Sequence, residues 1–235
     1  MSEFNKNIGF LWPCDGLNDQ EYWRFLPQNI GWLTARYDAN TQSETLTQDN
    51  LEKYASVETL MRASSIFKSV KLDSIACGDH AASFIFGRKH EASLIENLQK
   101  FVKCPVTFPS RAIVKLVQKN NLKNILLISP YAETITAKFV SYLSEFNIRT
   151  LSSLSLEAND ETHINALSPS TLSENIAEIV QREKQKPDAI VIAGGGVSFS
   201  SQIAELEIIT GLPVLTAVGA LVKDAVELAG EIYHR

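Results

Sequence analysis

Asp73-Ser-Ile75-Ala-Cys77-Gly78-Asp79-His80-Ala-Ala-Ser83-Phe84 and Asp188-Ala-Ile190-Val-Ile192-Ala-Gly194-Gly195-Gly196-Val-Ser198-Phe199 are two versions of one phrase. Asp to Ile is 2 residues in both, and Asp to Ser is 10 in both. Working outward, Ile8-Gly-Phe-Leu-Trp-Pro13 parallels Ile125-Leu-Leu-Ile-Ser-Pro130 on the amino-terminal side. On the other side, Pro105 leads to Ala112-Ile-Val-Lys115 as Pro213 leads to Ala220-Leu-Val-Lys223, with 7 residues from Pro to Ala in each. Three pairs in one order imply two copies of one structural unit, with equivalent loops facing across a cleft.

Strands are expected at 7–12, 29–36, 72–77 and 105–107, and again at 124–129, 149–156, 188–193 and 213–215. Helices are expected between them: a short one over 21–26, a long one over 47–70, one from 83 to 103, and one to 118 capped by Ser110. In the second copy they fall at 132–147, 170–184, 198–210 and 220–229, with 158–168 a polar loop. Strands alternating with helices, and apolar runs in place of alternation, indicate an α/β fold with parallel sheets covered on both faces. The expected architecture is two pseudo-symmetric Rossmann-like lobes with an active-site cleft between them. Residues 1–107 plus 216–235 form lobe 1, and 108–215 form lobe 2.

Parallel sheets place ligand sites at the carboxyl ends of their strands. The loops of interest are therefore 13–18, 78–84, 130–134 and 194–199. Gly194-Gly195-Gly196-Val197 precedes a helix, so its amides suit a carboxylate or phosphate, or else the glycines serve a tight turn. The pattern is neither a dinucleotide fingerprint nor a Walker A loop. Asp79-His80 at the matching position reads as a general acid/base pair, or as a helix cap beside a surface histidine. Tyr131 can hydrogen-bond a substrate oxygen or sit as a boundary tyrosine. Cys14, near a helix start, reads as an exposed thiol of lowered pKa or as turn filler. Cys77 and Cys104 read as structural, and His90, His163 and His234 as surface residues. No ligand spacing supports a metal site on Asp79, His80 and Cys14, so no metal is expected.

The bulk numbers exclude several classes. The chain has 235 residues, 45% apolar and 21% charged, an ordinary globular composition. Net charge is −5, from 22 basic and 27 acidic residues, which argues against nucleic acid as a partner. No apolar run reaches membrane-spanning length and no secretory h-region opens the chain, so no membrane partner is expected. Three cysteines without a spaced framework fit a reducing, cytoplasmic setting.

The two copies, the strand-end loops and Ser129-Pro130-Tyr131 together resemble the aspartate/glutamate racemase superfamily, within it the maleate cis–trans isomerase and arylmalonate decarboxylase branch. The likeness runs from Ile8 to Gly230. Asp79-His-Ala-Ala-Ser83-Phe84 is similar to the family's Cys-Thr-Ser-Gly-Ser-Phe. Ile192-Ala-Gly-Gly-Gly196 with Glu205-Leu-Glu-Ile-Ile-Thr-Gly-Leu-Pro-Val214 is similar to its second cysteine loop and its ending. The resemblance implies a cofactor-independent enzyme on a small (di)carboxylic acid, transferring a proton at the carbon α to a carboxylate, and often dimeric. It also implies that both catalytic cysteine positions are replaced, the first by Asp79 and the second by Gly194. Catalysis would then fall to Asp79, His80 and Cys14. Substrate binding would fall to Pro13, Ser83, Tyr131, Gly194, Gly195, Gly196 and Val197. The alternative is a non-catalytic carboxylate-binding protein on the same scaffold.

Overall fold

A computed structural model describes residues 5–41 and 45–233. In the first half, β1 (Lys6–Pro13), β2 (Ile30–Tyr37), β3 (Ser74–Cys77) and β4 (Val106–Thr107) form a parallel sheet in the order β2-β1-β3-β4. In the second, β5 (Asn124–Tyr131), β6 (Arg149–Ala158), β7 (Ala189–Ile192) and β8 (Val214–Thr216) form another in the order β6-β5-β7-β8. The two orders are the same order, as a duplication requires.

The aspartate that opens each phrase has the same task in both halves. Asp73 Oδ2 accepts the backbone N–H of Asn7 at 2.9 Å, and Asp188 Oδ2 accepts that of Asn124 at 2.8 Å. Each carboxylate thus ties the start of its own strand to the first strand of its half. The matched prolines act alike: Ile75 N–H donates to the Pro105 carbonyl at 2.8 Å and Ile190 N–H to that of Pro213 at 2.9 Å.

In the first half the helices are α1 (Asp19–Trp23), α2 (Gln48–Tyr54), α3 (Val57–Ser64), α4 (His80–Phe84) and α5 (Gly87–Val102). Then follow α6 (Pro109–Lys119), α7 (Glu133–Ser144), α8 (Glu161–Asn165), α9 (Pro169–Arg182), α10 (Ile203–Thr210) and α11 (Ala217–Leu228). Helix α11 returns to the first half, where Ser74 Oγ donates to the Ala225 carbonyl and Thr107 Oγ1 to Asp224.

Several helices depart from expectation, each for a local reason. The long helix over 47–70 is interrupted at Ser56, whose hydroxyl accepts the Thr59 N–H and caps a new helix. A 3-10 turn over Ser65–Phe67 follows. The helix expected over 83–103 is two helices: α4 starts at His80, where Asp79 caps it by accepting the Ala82 N–H at 3.0 Å, and ends at Phe84, and α5 runs over Gly87–Val102. Ser110 caps nothing; α6 starts at Pro109, and the Ser110 hydroxyl donates to the buried Glu91 carboxylate. The segment 158–168 holds α8, capped by Asp160 through the His163 N–H. The helix expected from Ser198 starts only at Ile203. His163 is exposed and His90 half-buried against Phe86, while His234 lies outside the described residues.

Candidate active site

The carboxyl ends of the two sheets meet at one cavity. Trp12, Pro13, Gly78, Asp79 and His80 line it from the first half, and Tyr131, Glu161 and Gly195 from the second. Asn50, Leu51 and Tyr54 of α2 form another wall. Its free volume is about 30 Å³. That is room for one or two water molecules, against the several hundred Å³ of an open ligand pocket. The halves touch directly: a Cβ on Gly195 would lie 2.5 Å from the Gly78 carbonyl oxygen. Among the described residues, neither lysine nor arginine lines the cavity.

Asp79 sits where β3 ends and α4 begins. Burial pushes its carboxyl up to about 7, against the lowering effect of the Ala82 and Ala81 amides, with Asp15 adding to the rise. A carboxyl at that value is half-ionised near neutrality, the condition in which it gives and takes protons equally well.

His80 is 1% exposed, its ring edge-on to Phe84 and Phe139. Burial alone pushes its pKa down to about 3, so the imidazole is neutral at physiological pH. Nδ1 accepts the Gly194 N–H at 3.0 Å, with the Tyr131 phenol 3.4 Å away. The ring proton is therefore on Nε2, which has no hydrogen-bond partner among the described residues. His80 is thus a neutral donor that ties the two matched loops together. Tyr131 is also buried, with its phenol pushed well above its ordinary pKa chiefly by burial and then by the Glu161 and Asp79 charges.

The glycine loop is occupied by the protein itself. The Gly194 N–H goes to His80, and the Gly195 amide favours the ionised form of the Tyr131 phenol, against the effect of burial. The Gly195 carbonyl accepts from the Tyr22 hydroxyl at 3.0 Å and the Gly196 carbonyl from Asn18 Nδ2 at 2.7 Å. Farther along, Glu21 Oε1 accepts the N–H groups of Phe199 at 2.7 Å and Ser200 at 2.6 Å. The Glu21 carboxylate thus holds the amides just beyond the Gly194–Val197 turn. Of the three glycines only Gly194 needs its conformational freedom, at φ +98°, with Pro130 and Val197 packed where a Cβ would go.

Two further expectations change. Ser83 is fully buried and lines no part of the cavity; its hydroxyl donates to the His80 carbonyl and pairs with Ser110 Oγ at 2.5 Å. Cys14 is exposed and absent from the cavity wall, where its neighbours Pro13 and Asp15 are found. Its thiol is raised, not lowered, first by partial burial and then by the Asp15 and Asp38 charges. Cys77 is buried within β3 and its thiol is pushed well up by burial. No cysteine lines the cavity, and no group of three or more His, Cys, Asp or Glu side chains among the described residues could hold a metal ion.

Glu161 is the residue that the sequence concealed. It is the first residue of α8, and burial pushes its carboxyl up to about 8, followed by the Asp15 and Asp79 charges. The only local signal is the Asp160-x-x-His163 cap, which marks a helix start and says nothing of where Glu161 points.

The sequence profile of the arylmalonate decarboxylase family matches residues 27–234. A maleate isomerase from Alcaligenes faecalis is 30% identical over 120 residues, 49% of this chain and 45% of the isomerase. The chain thus matches about half the length of that curated relative. A double mutant of arylmalonate decarboxylase in a liganded form has a TM-score of 0.85 at 19% identity, covering 96% of this chain and 93% of that one. The maleate isomerase of Pseudomonas putida S16, solved with maleate, has a TM-score of 0.85 at 17% identity, covering 96% and 92%. A Nocardia farcinica maleate cis-trans isomerase carrying a covalently bound succinylcysteine intermediate has a TM-score of 0.83 at 16% identity, covering 96% and 93%. At such identities the structures establish a shared fold, whereas the profile spans nearly the whole chain: it belongs to the arylmalonate decarboxylase family.

Proposed function

We propose that this protein is a cofactor-independent enzyme that transfers a proton at the carbon α to a carboxylate of a small mono- or dicarboxylic acid, with Asp79 as its acid/base. The observation that carries this reading is the Asp79 carboxyl itself, at the end of β3 in the inter-half cavity and pushed up to about 7 by burial. Among the described residues no cysteine lines the cavity, and the proposed proton transfer is assigned to a carboxyl group.

In a racemase step, Asp79 as carboxylate takes the α-proton and the C–H electron pair moves into an enolate. In a decarboxylation, the C–C electron pair stays on the α-carbon as CO₂ leaves, and Asp79 as acid supplies the proton. The Tyr131 hydroxyl and the His80 Nε2–H are the neutral donors available to an enolate oxygen. With neither Lys nor Arg in the wall among the described residues, an anionic substrate is accepted with a proton held on one of the two cavity acids, Asp79 and Glu161. Apolar surface from Trp12, Leu46 and Leu51 suits a leaving CO₂.

A second reading, a non-catalytic carboxylate binder, draws support from the 30 Å³ of free space and the pinned glycine loop. One panel assay separates the two. An arylmalonate, maleate and both enantiomers of a 2-arylpropionate are followed for CO₂ release, cis–trans conversion and change of chirality. Turnover that Asp79→Asn abolishes supports the enzyme. Turnover unchanged in Asp79→Asn removes Asp79 from the mechanism, and calorimetric binding without turnover favours the binder.

A further inference from the structure

The family resemblance gives each half one catalytic position. The second half's own position, Gly194, has no side chain and its amide is held by His80. An acid nonetheless enters the cavity from that half, and it comes from α8. Glu161 lines the cavity together with Asp79, and its Oε2 is buried with no hydrogen-bond partner among the described residues. An unanswered carboxylate oxygen at that depth is costly and calls for a function.

The third glycine of the loop explains how the acid fits. A Cβ on Gly196 would overlap the Glu161 carboxylate, so Gly196 is the seat on which that carboxylate rests. Asp79 arrives from the first half and Glu161 from the second, and the phenols of Tyr22 and Tyr131 both feel the two charges. The titratable groups around Glu161 are Asp15, Asp79 and Asp160, with those two phenols; none is a cation.

We infer that Glu161 is the second acid/base of this site, delivering or removing a proton on the face of the substrate's α-carbon opposite to Asp79. The inference rests on the proposed proton-transfer function. The step balances without a co-reactant. One of the pair starts as carboxylate and the other as carboxylic acid. The carboxylate takes the α-proton as the C–H electron pair enters the enolate. The enolate pair then forms a new C–H bond with the proton of the other acid, and the two residues have exchanged protonation states. Delivery of the proton from the face opposite to its removal inverts the carbon.

The test is proton NMR in D₂O with the two enantiomers of a 2-arylpropionate, an arylmalonate and maleate, on wild type, Asp79→Asn, Glu161→Gln and Glu161→Asp. Wild type is expected to incorporate deuterium at the α-carbon and to interconvert the enantiomers. Glu161→Gln should lower interconversion at least 100-fold while still washing deuterium into one enantiomer, and Asp79→Asn should spare only the other. Glu161→Asp, one methylene short but still an acid, should restore part of the interconversion, which a packing role would not produce. Interconversion at the wild-type rate in Glu161→Gln, with Asp79→Asn inactive, overturns the role of Glu161 and leaves the proposed function standing. A folded wild type that neither exchanges nor converts any of these acids overturns the proposed function and this inference with it.

Discussion

The imidazole of His80, in the first half, accepts the backbone N–H of Gly194, in the second half, at 3.0 Å. These two residues occupy positions one apart in the duplicated phrase, so the link is a direct clamp between the matched loops. It also fixes the imidazole tautomer and with it the direction in which a proton is offered.

Breaking the clamp should cost stability. His80→Ala would leave the Gly194 N–H without its acceptor and open a cavity beside Phe84 and Phe139. The two terms together amount to about 3 kcal/mol. In a chain of this size that lowers the melting temperature by about 6–12 °C in a thermal scan. His80→Gln, which keeps an acceptor, should recover part of the loss. A His80→Ala protein that melts with wild type would show that the clamp bears no load.

Stability should fall as pH rises above about 6.5, and the cavity acids are the cause. Asp79 is held up to about 7 and Glu161 to about 8, whereas an unfolded carboxyl titrates near about 4. The folded state therefore keeps protons that the unfolded state has released, so this contribution is complete at low pH and disappears as pH rises through about 7 and about 8. His80 works in the opposite range. Its folded pKa of about 3 lies below the unfolded value near about 6.5, so its contribution is complete above that value and is lost toward acid. Between pH 6.5 and 8.5 only the acids act. Melting temperature measured across that window should decline in wild type, decline less in Asp79→Asn or Glu161→Gln, and be nearly flat in the double variant. A flat wild-type profile would mean that neither carboxyl is raised.

How much of this could be seen in the sequence depends on how local the cause is. The duplication was legible because Asp73 and Asp188, with Pro105 and Pro213, do the same backbone work at the same spacing. Asp79 and Tyr131 could be placed because strand ends are local features. What surrounds the glycine loop was not legible because its partners are remote. The Glu21 carboxylate that fills the Phe199 and Ser200 amides is 178 residues away in sequence from Phe199. Glu161 was hidden because a five-residue helix leaves almost no periodicity, and only contact with Gly196 makes that carboxylate differ from a surface acid.

Thiol chemistry should be slow and irrelevant to turnover. Cys14 is exposed but its thiol is raised, Cys104 is half-buried and pushed up to about 11 chiefly by burial, and Cys77 is sealed within β3. A low thiolate fraction slows attack on a disulfide reagent. Titration of native protein at pH 7.5 should label Cys14 more slowly than free cysteine and leave Cys77 unlabelled until the chain is unfolded. Cys14→Ser should keep any measured activity within about twofold. A larger loss, or rapid labelling blocked by a bound acid, would bring the thiol back into the cavity.

The contact of Gly195 with the first half offers the sharpest steric test. On Gly195 an added methyl would meet the Gly78 carbonyl oxygen at 2.5 Å, the Tyr22 hydroxyl at 3.0 Å and the Trp12 ring at 3.1 Å. One of these neighbours is backbone and the other two are held in a packed aromatic cluster, so none can swing aside. Gly195→Ala should therefore cost about 2–3 kcal/mol as an overpacking substitution, a fall of about 4–12 °C in melting temperature. Gly211→Ala provides the contrast. Gly211 has φ +64° but no atom nearer than 4.0 Å to an added Cβ, so it carries only the conformational term of about 1 kcal/mol. Because Gly195 does not have a positive φ, its larger loss would report contact between the halves and not backbone strain. If Gly195→Ala were no worse than Gly211→Ala, the halves would have to stand farther apart in solution, and the cavity would be open enough to take a small acid without rearrangement.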